Sequence, residues 1–142
     1  MEQALAKAEN HIVWGANYFP KVFPASMGWF VWDKGQRIAQ SDGELAYTSR
    51  STALRILTLN RVELMKDGAA HPTQKPVKLM TWCLSFFPDA QTILDPFMGS
   101  GTTLVAAKQL GRQGIGIELE ERYCEIAALR LSQEVMNFGE VA

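Results

Sequence analysis

Apolar positions along the chain fall into short aromatic and β-branched runs in the first half, and into alternating strand-like and helix-like spacings in the second. Residues 2 to 10 are good helix formers and predict a short helix, after which Ile12-Val13-Trp14 forms a brief apolar run ended by Gly15. Gly28 opens Trp29-Phe30-Val31-Trp32, which stops at Asp33-Lys34-Gly35; both runs read as buried strands. Ser41-Asp42-Gly43 signals a turn, and Glu44-Leu45-Ala46-Tyr47-Thr48 alternates after it as a third strand. From 50 to 70 the apolar positions, Leu54, Ile56, Leu57, Leu59, Val62 and Leu64, suit strands and irregular structure equally, and the stretch reads as a variable insert.

The period changes after His71-Pro72. Pro76 suits the first turn of a helix, and Val77, Met80, Leu84 and Phe87 form one apolar stripe that Pro88-Asp89 terminates. Thr92-Ile93-Leu94 predicts a strand. A Gly-rich bend follows, then a helix from about Thr102 to Leu110 closed by Gly111, a strand at Ile115 to Ile117 ending on Glu118, and a last helix with Tyr123, Ile126, Ala127 and Leu131 on one face. Strand, helix, strand, helix predicts a parallel pair with right-handed crossovers, so the second half reads as one Rossmann-like mononucleotide unit.

Composition narrows the class. A chain of 142 residues, 47% hydrophobic and 20% charged, fits a single globular domain. No run approaches the roughly eighteen apolar residues of a membrane helix, so no membrane partner is expected. Residues 1 to 10 have neither a secretory nor a transit pattern, and a cytoplasmic location is expected. Cys83 and Cys124 lack metal-ligand spacing and only two histidines are present, so no metal site is expected and the thiols read as reduced and buried. The net charge of −1 decides nothing, but its distribution is uneven. From Arg50 to Lys78 six basic residues face two acids, whereas from Glu118 to Ala142 six acids face two basic residues. Arg50, Arg55, Arg61 and Lys66 are therefore candidate contacts to a DNA backbone, with a solvated surface of chance asymmetry as the bland alternative.

The informative segment is Asp95-Pro96-Phe97-Met98-Gly99-Ser100-Gly101-Thr102-Thr103, between a strand and a helix. Its glycines allow close backbone approach, and the helix start presents free N–H groups. A triphosphate loop would need Lys where Thr102 stands, and the dinucleotide fingerprint would need Gly where Leu104 stands. Asp95 would repel a pyrophosphate but attract an ammonium, while the helix start and the hydroxyls of Ser100, Thr102 and Thr103 suit a carboxylate. Glu118, 23 residues after Asp95 at the next strand's tip, is placed to accept ribose hydroxyls. An amino acid joined to an adenosine, as in S-adenosylmethionine, meets these demands; a tight turn of purely structural value is the alternative.

Three segments add a resemblance. His71-Pro72-Thr73-Gln74-Lys75-Pro76, the Asp95 to Thr103 loop, and Gly114-Ile115-Gly116-Ile117-Glu118 together resemble three consecutive motifs of the DNA adenine-N6 and cytosine-N4 methyltransferases, in the permuted beta-class order. The resemblance implies an α/β, Rossmann-like fold that binds S-adenosylmethionine. Lys75 and Pro76 would border the methionine end, Asp95, Pro96, Phe97, Gly99, Ser100, Gly101, Thr102 and Thr103 would wrap the cofactor, and Glu118 would receive the ribose. Residues 1 to 49 would be a remnant of the catalytic region, 50 to 70 a short target-recognition insert, and 71 to 142 the cofactor-binding half. The implied reaction is methyl transfer to an exocyclic amine of double-stranded DNA, adenine N6 being favoured; a non-catalytic DNA-binding or assembly module is the rival.

The family's catalytic motif, Asp, Asn or Ser followed by Pro-Pro and an aromatic, is not found: prolines occur only at 20, 24, 72, 76, 88 and 96. No catalytic residue can be named, since Asn17-Tyr18-Phe19-Pro20 has the wrong order and place. The expectation is a truncated chain whose central sheet is incomplete, with either a second chain completing it or a homodimer, and with impaired activity. His71 and Tyr123 read as structural, Trp14, Trp29 and Trp32 as core rather than base-stacking residues, and Asp33-Lys34 as a strand-end ion pair or turn.

Overall fold

The computed structural model describes residues 5–35, 41–60 and 74–133. Within it the chain divides into two compact units, residues 1–68 and 69–142.

In the first unit the short apolar runs become a mixed sheet. Strands β1 (Ile12–Trp14), β2 (Trp29–Asp33), β3 (Gly43–Thr48) and β4 (Arg55–Thr58) lie in the order β1-β3-β2-β4. β3 runs antiparallel to both β1 and β2, in a register that sets Phe30 against Ala46, and β4 runs parallel to β2. Alternation along β2 sends Phe30 and Trp32 into the core with Ala46, Thr48 and Leu59. Trp29 faces the other way, its ring edge on Tyr47 at 6.0 Å. Trp32 is thus a core residue as expected, its indole N–H donating to the Leu59 carbonyl at 2.8 Å. Asp33 and Lys34 each find a partner across the sheet: Lys34 bridges to Glu44 at 3.1 Å, and Asp33 accepts from the Thr58 hydroxyl at 2.9 Å. The undecided stretch from 50 therefore contains a strand, because pairing with β2 satisfies backbone groups that the local pattern alone could not assign. Residues 61–70, with Arg61 and Lys66, lie outside the described residues, as do His71 and residues 2–4 of the helix expected over residues 2–10; residues 6–10, expected in that helix, are instead turn, bend and irregular backbone.

In the second unit helix α1 (Val77–Ser85) starts one residue later than expected, with Pro76 extended at its N-cap (φ −62, ψ 141). The stripe of Val77, Met80, Leu84 and Phe87 is buried throughout. Strands β5 (Thr92–Asp95) and β6 (Gln113–Gly116) pair in parallel, with helix α2 (Thr102–Gln109) as the crossover and helix α3 (Glu121–Ser132) following. α2 ends in left-handed Gly111, where the Gly111 and Arg112 N–H groups donate to the carbonyls of Lys108 and Ala107. β6 begins earlier than its apolar residues suggest, because Gln113 and Gly114 pair with Thr92 and Ile93. Both α1 and α3 pack against α2, whose Ala106 and Ala107 are fully buried.

Among the described residues of the second unit, the two-stranded sheet is covered on one face. A Cβ at Gly114 or Gly116 would fall 2.5 Å or 2.2 Å from Leu104 or Met98 side-chain atoms, so that face lies tight against α2 and the loop before it. Ile115, pointing the other way, remains 53% exposed. Parallel sheets are ordinarily buried on both faces; this is an incomplete α/β fold, as the sequence implied. No helix among the described residues is long and apolar enough to cross a membrane.

Candidate functional site

The parallel register sets Asp95 beside Gly116, so the segments leaving β5 and β6 depart from the same end of the sheet. They are stitched together by the Ile117 N–H donating to the Asp95 carbonyl at 2.9 Å and the Met98 N–H donating to the Ile117 carbonyl at 3.1 Å. Asp95 Oδ1 accepts the Phe97 N–H at 3.0 Å, which bends the chain into the loop. Glu118 closes the other side: Oε2 accepts the Gly99 N–H at 2.9 Å, and Oε1 accepts the Leu119 and Glu120 N–H groups at 2.8 and 3.0 Å. The two acids chosen from sequence thus flank one glycine loop.

Gly99 (φ 51) and Gly101 (φ 79) are both left-handed. At Gly101 the requirement is double, since a Cβ there would also lie 2.8 Å from that of Ala127 on α3. Phe97 is 71% exposed beside the loop, and Leu119 is almost wholly exposed. Pro96, Gly99 and Thr103 are half-buried.

Ser100 and Thr102 differ from expectation. Both are buried, and their hydroxyls point inward rather than into the crevice. Arg130 Nη1 lies 2.7 Å from the Ser100 carbonyl and 3.1 Å from each of Ser100 Oγ and Thr102 Oγ1, and the Ser100 hydroxyl donates to Gln74 Oε1 at 2.9 Å. Their side chains brace the loop, because a buried hydroxyl must take an internal partner when no water reaches it. Sequence reasoning missed Arg130 and Gln74. A signal existed for Arg130: it lies three residues after Ala127, on the helix face that touches the loop.

Lys75 is half-buried and Pro76 buried, between Gln74 and α1. The charge of Lys75 reaches Cys83, whose thiol is nevertheless pushed up to about 12 by burial. Of the four candidate DNA contacts, Arg50 and Arg55 are exposed in the first unit. Asn17 and Pro20 line an apolar concavity of about 700 Å³ in that unit, with Phe23, Trp29 and Leu54. No cluster of potential metal ligands occurs among the described residues.

Parallel strands with one acid at the end of β5 and the other two residues past β6, and a glycine loop and helix start between them, define a site of the Rossmann-like nucleotide-cofactor class. Residues 7–129 match the N6/N4 methyltransferase family model, described as DNA methylase, and the chain belongs to that family. It is 52% identical over 70 residues to the type II methyltransferase M2.DpnII of Streptococcus pneumoniae, covering 49% of this chain and 26% of that protein. With the type II methyltransferase M.HinfI of Haemophilus influenzae it shares 48% identity over 82 residues, 57% of this chain and 23% of that one. The chain spans about a quarter of the length of these curated relatives. Among solved structures it is similar to the M1.HpyAVI–SAM complex (TM-score 0.70, 27% identity, 85% of this chain and 74% of that one). It shares the fold of the cytosine-N4-specific PvuII DNA methyltransferase (TM-score 0.57, 17% identity, 75% of this chain and 51% of that one).

Proposed function

We propose that this chain carries the S-adenosylmethionine site of a site-specific DNA amino-methyltransferase, and that by itself it binds the cofactor without turnover. The observation that carries the reading is the pairing of two acids around one loop, with Glu118 Oε2 2.9 Å from the Gly99 nitrogen. The donor set suits this ligand. Asp95 has a second oxygen beyond the one that caps the loop, a match for an ammonium group, and the start of α2 supplies N–H groups and a partial positive charge for a carboxylate. Thr103 and Lys75 add a hydroxyl and a cation, while Ser100 and Thr102 contribute backbone alone. Glu118 would take the ribose hydroxyls by exchanging one of its three N–H donors for them, since a carboxylate offers about four acceptor directions. When bound, the cofactor supplies an electrophilic methyl on sulfonium.

Transfer also requires a flipped base held with its amine lone pair toward that methyl. The 142 residues contain no adjacent prolines to form the family's catalytic loop, which supports binding without chemistry. Adenine N6 is the favoured target. Residues 50–70 would serve target recognition, with Arg50, Arg55, Arg61 and Lys66 on the DNA phosphates. A second chain, or a second copy, would complete the sheet; the uncovered Ile115 supports that part.

Calorimetry with S-adenosylmethionine tests the central claim. Wild type is expected to bind, and Asp95→Ala to weaken binding at least about tenfold, because a charge-assisted hydrogen bond is removed. Equal heats from the two proteins would reject the site.

A further inference from the structure

The buried polar cluster behind the glycine loop is absorbed neither by cofactor contact nor by simple packing. It joins three separate parts of the second unit: Gln74 before α1, Ser100 and Thr102 at the loop, and Arg130 on α3. Its hydrogen bonds have one consistent direction. The Arg130 guanidinium can only donate, so Ser100 Oγ accepts from it and must give its own proton to Gln74 Oε1. Nη1 carries two hydrogens and faces three oxygens, so at least one hydrogen is shared, and the Ser100 carbonyl is the nearest of the three, at 2.7 Å. That carbonyl belongs to the residue between the two left-handed glycines, where the loop has least intrinsic preference for one shape. Gln74 precedes Lys75 directly, so the same chain of bonds reaches the segment assigned to the methionine end.

We infer that Arg130 is a positioning residue for cofactor binding: through Ser100 and Gln74 it holds the glycine loop and the Lys75 segment in their ligand-receiving arrangement without touching the ligand. Pre-set groups bind more tightly because less ordering is left to do on association. The inference rests on the cofactor reading, although its first step, control of loop shape, can be measured without ligand.

The experiment compares wild type with Arg130→Met, Arg130→Lys, Ser100→Ala, the double variant Arg130→Met/Ser100→Ala, and Lys108→Met. Lys108 is a control: its Nζ ties down the Leu131 and Gln133 carbonyls at the end of α3 at 2.6 and 2.9 Å, away from the loop. Calorimetry with S-adenosylhomocysteine is expected to show Arg130→Met about tenfold weaker, as removal of charged hydrogen bonds implies. Lys108→Met is expected to match wild type, and the double variant to be no worse than Arg130→Met, since both changes break one linkage. Arg130→Lys keeps the charge but loses the fork, so it should fall between; it also decides the matter if Arg130→Met fails to fold by circular dichroism. In ligand-free protein, amide exchange at Gly99 and Gly101 should speed up in the Arg130 variants relative to Lys108→Met. Unchanged exchange would overturn the clamp, and simple multiplication of the two single-variant effects would overturn its route through Ser100. Absence of heat with wild type would overturn the cofactor reading while the exchange data still judged the clamp.

Discussion

Two residues show how local surroundings set measurable behaviour. Burial among apolar neighbours disfavours the thiolate of Cys83, raising its pKa from an ordinary 9.0 to about 12, while the charge of Lys75 opposes the shift. The unfolded thiol releases its proton near 9 and the folded one holds it until about 12, so the folded state binds more protons in that window. The stabilising effect is complete below 9 and is lost as pH rises through that range, with a slope of up to about 1.4 kcal/mol per pH unit. Urea unfolding from pH 8 to 11 should show this decline, and Cys83→Ala should flatten it; parallel curves would contradict the burial account. Gly101 is constrained by backbone rather than charge. Gly101→Ala is expected to cost about 1–2 kcal/mol from the left-handed conformation alone, before its contact with Ala127 is counted, and urea melts would measure it. The sequence already marked Gly101 as a loop glycine and read Cys83 as a buried thiol, but only packing showed that α3 crosses the loop at Gly101 and that Cys124, also read as buried, is only half-buried.

At the scale of elements the second unit was the more legible. The apolar stripe of α1 and the strand, helix, strand, helix order follow from spacing, because a 3.6-residue period against a 2-residue period is a local property of the chain. β4 was not readable, since a four-residue strand with most of its side chains exposed is stabilised by its partner β2 and not by its own pattern. The one-sided cover of the parallel pair predicts unequal sensitivity. Leu79→Ala, in the interior of α1 with no exposure, is expected to cost about 2–5 kcal/mol. Ile115→Thr, on the open face, should cost less than about 1 kcal/mol, and its cost should rise toward that of a core site if a partner covers that face. Chemical denaturation of the two variants checks the contrast, and similar losses would show that the face is buried in solution.

For the whole molecule the property to test is the proposed attraction to DNA. Arg50 and Arg55 stand exposed in the first unit, and each phosphate that a basic side chain neutralises steepens the salt dependence of binding by about 0.9 in log–log slope. Arg55→Ala is expected to weaken binding to duplexes of any sequence alike and to make that slope shallower by one such step; an unchanged slope by fluorescence titration would remove Arg55 from the interface. The amino-acid order by itself determined the family, the two acids, the glycine loop and the helix periods, because each is a contiguous pattern whose chemistry or spacing is local. Tertiary structure alone decided that the hydroxyls of Ser100 and Thr102 turn inward, that Glu118 holds the loop through the Gly99 N–H while its other oxygen takes the Leu119 and Glu120 N–H groups, and that Arg130 and Gln74 support the loop from distant positions. Those facts depend on which buried polar groups meet across the fold, and a buried donor's choice of partner is settled only when segments far apart in the chain have closed around it.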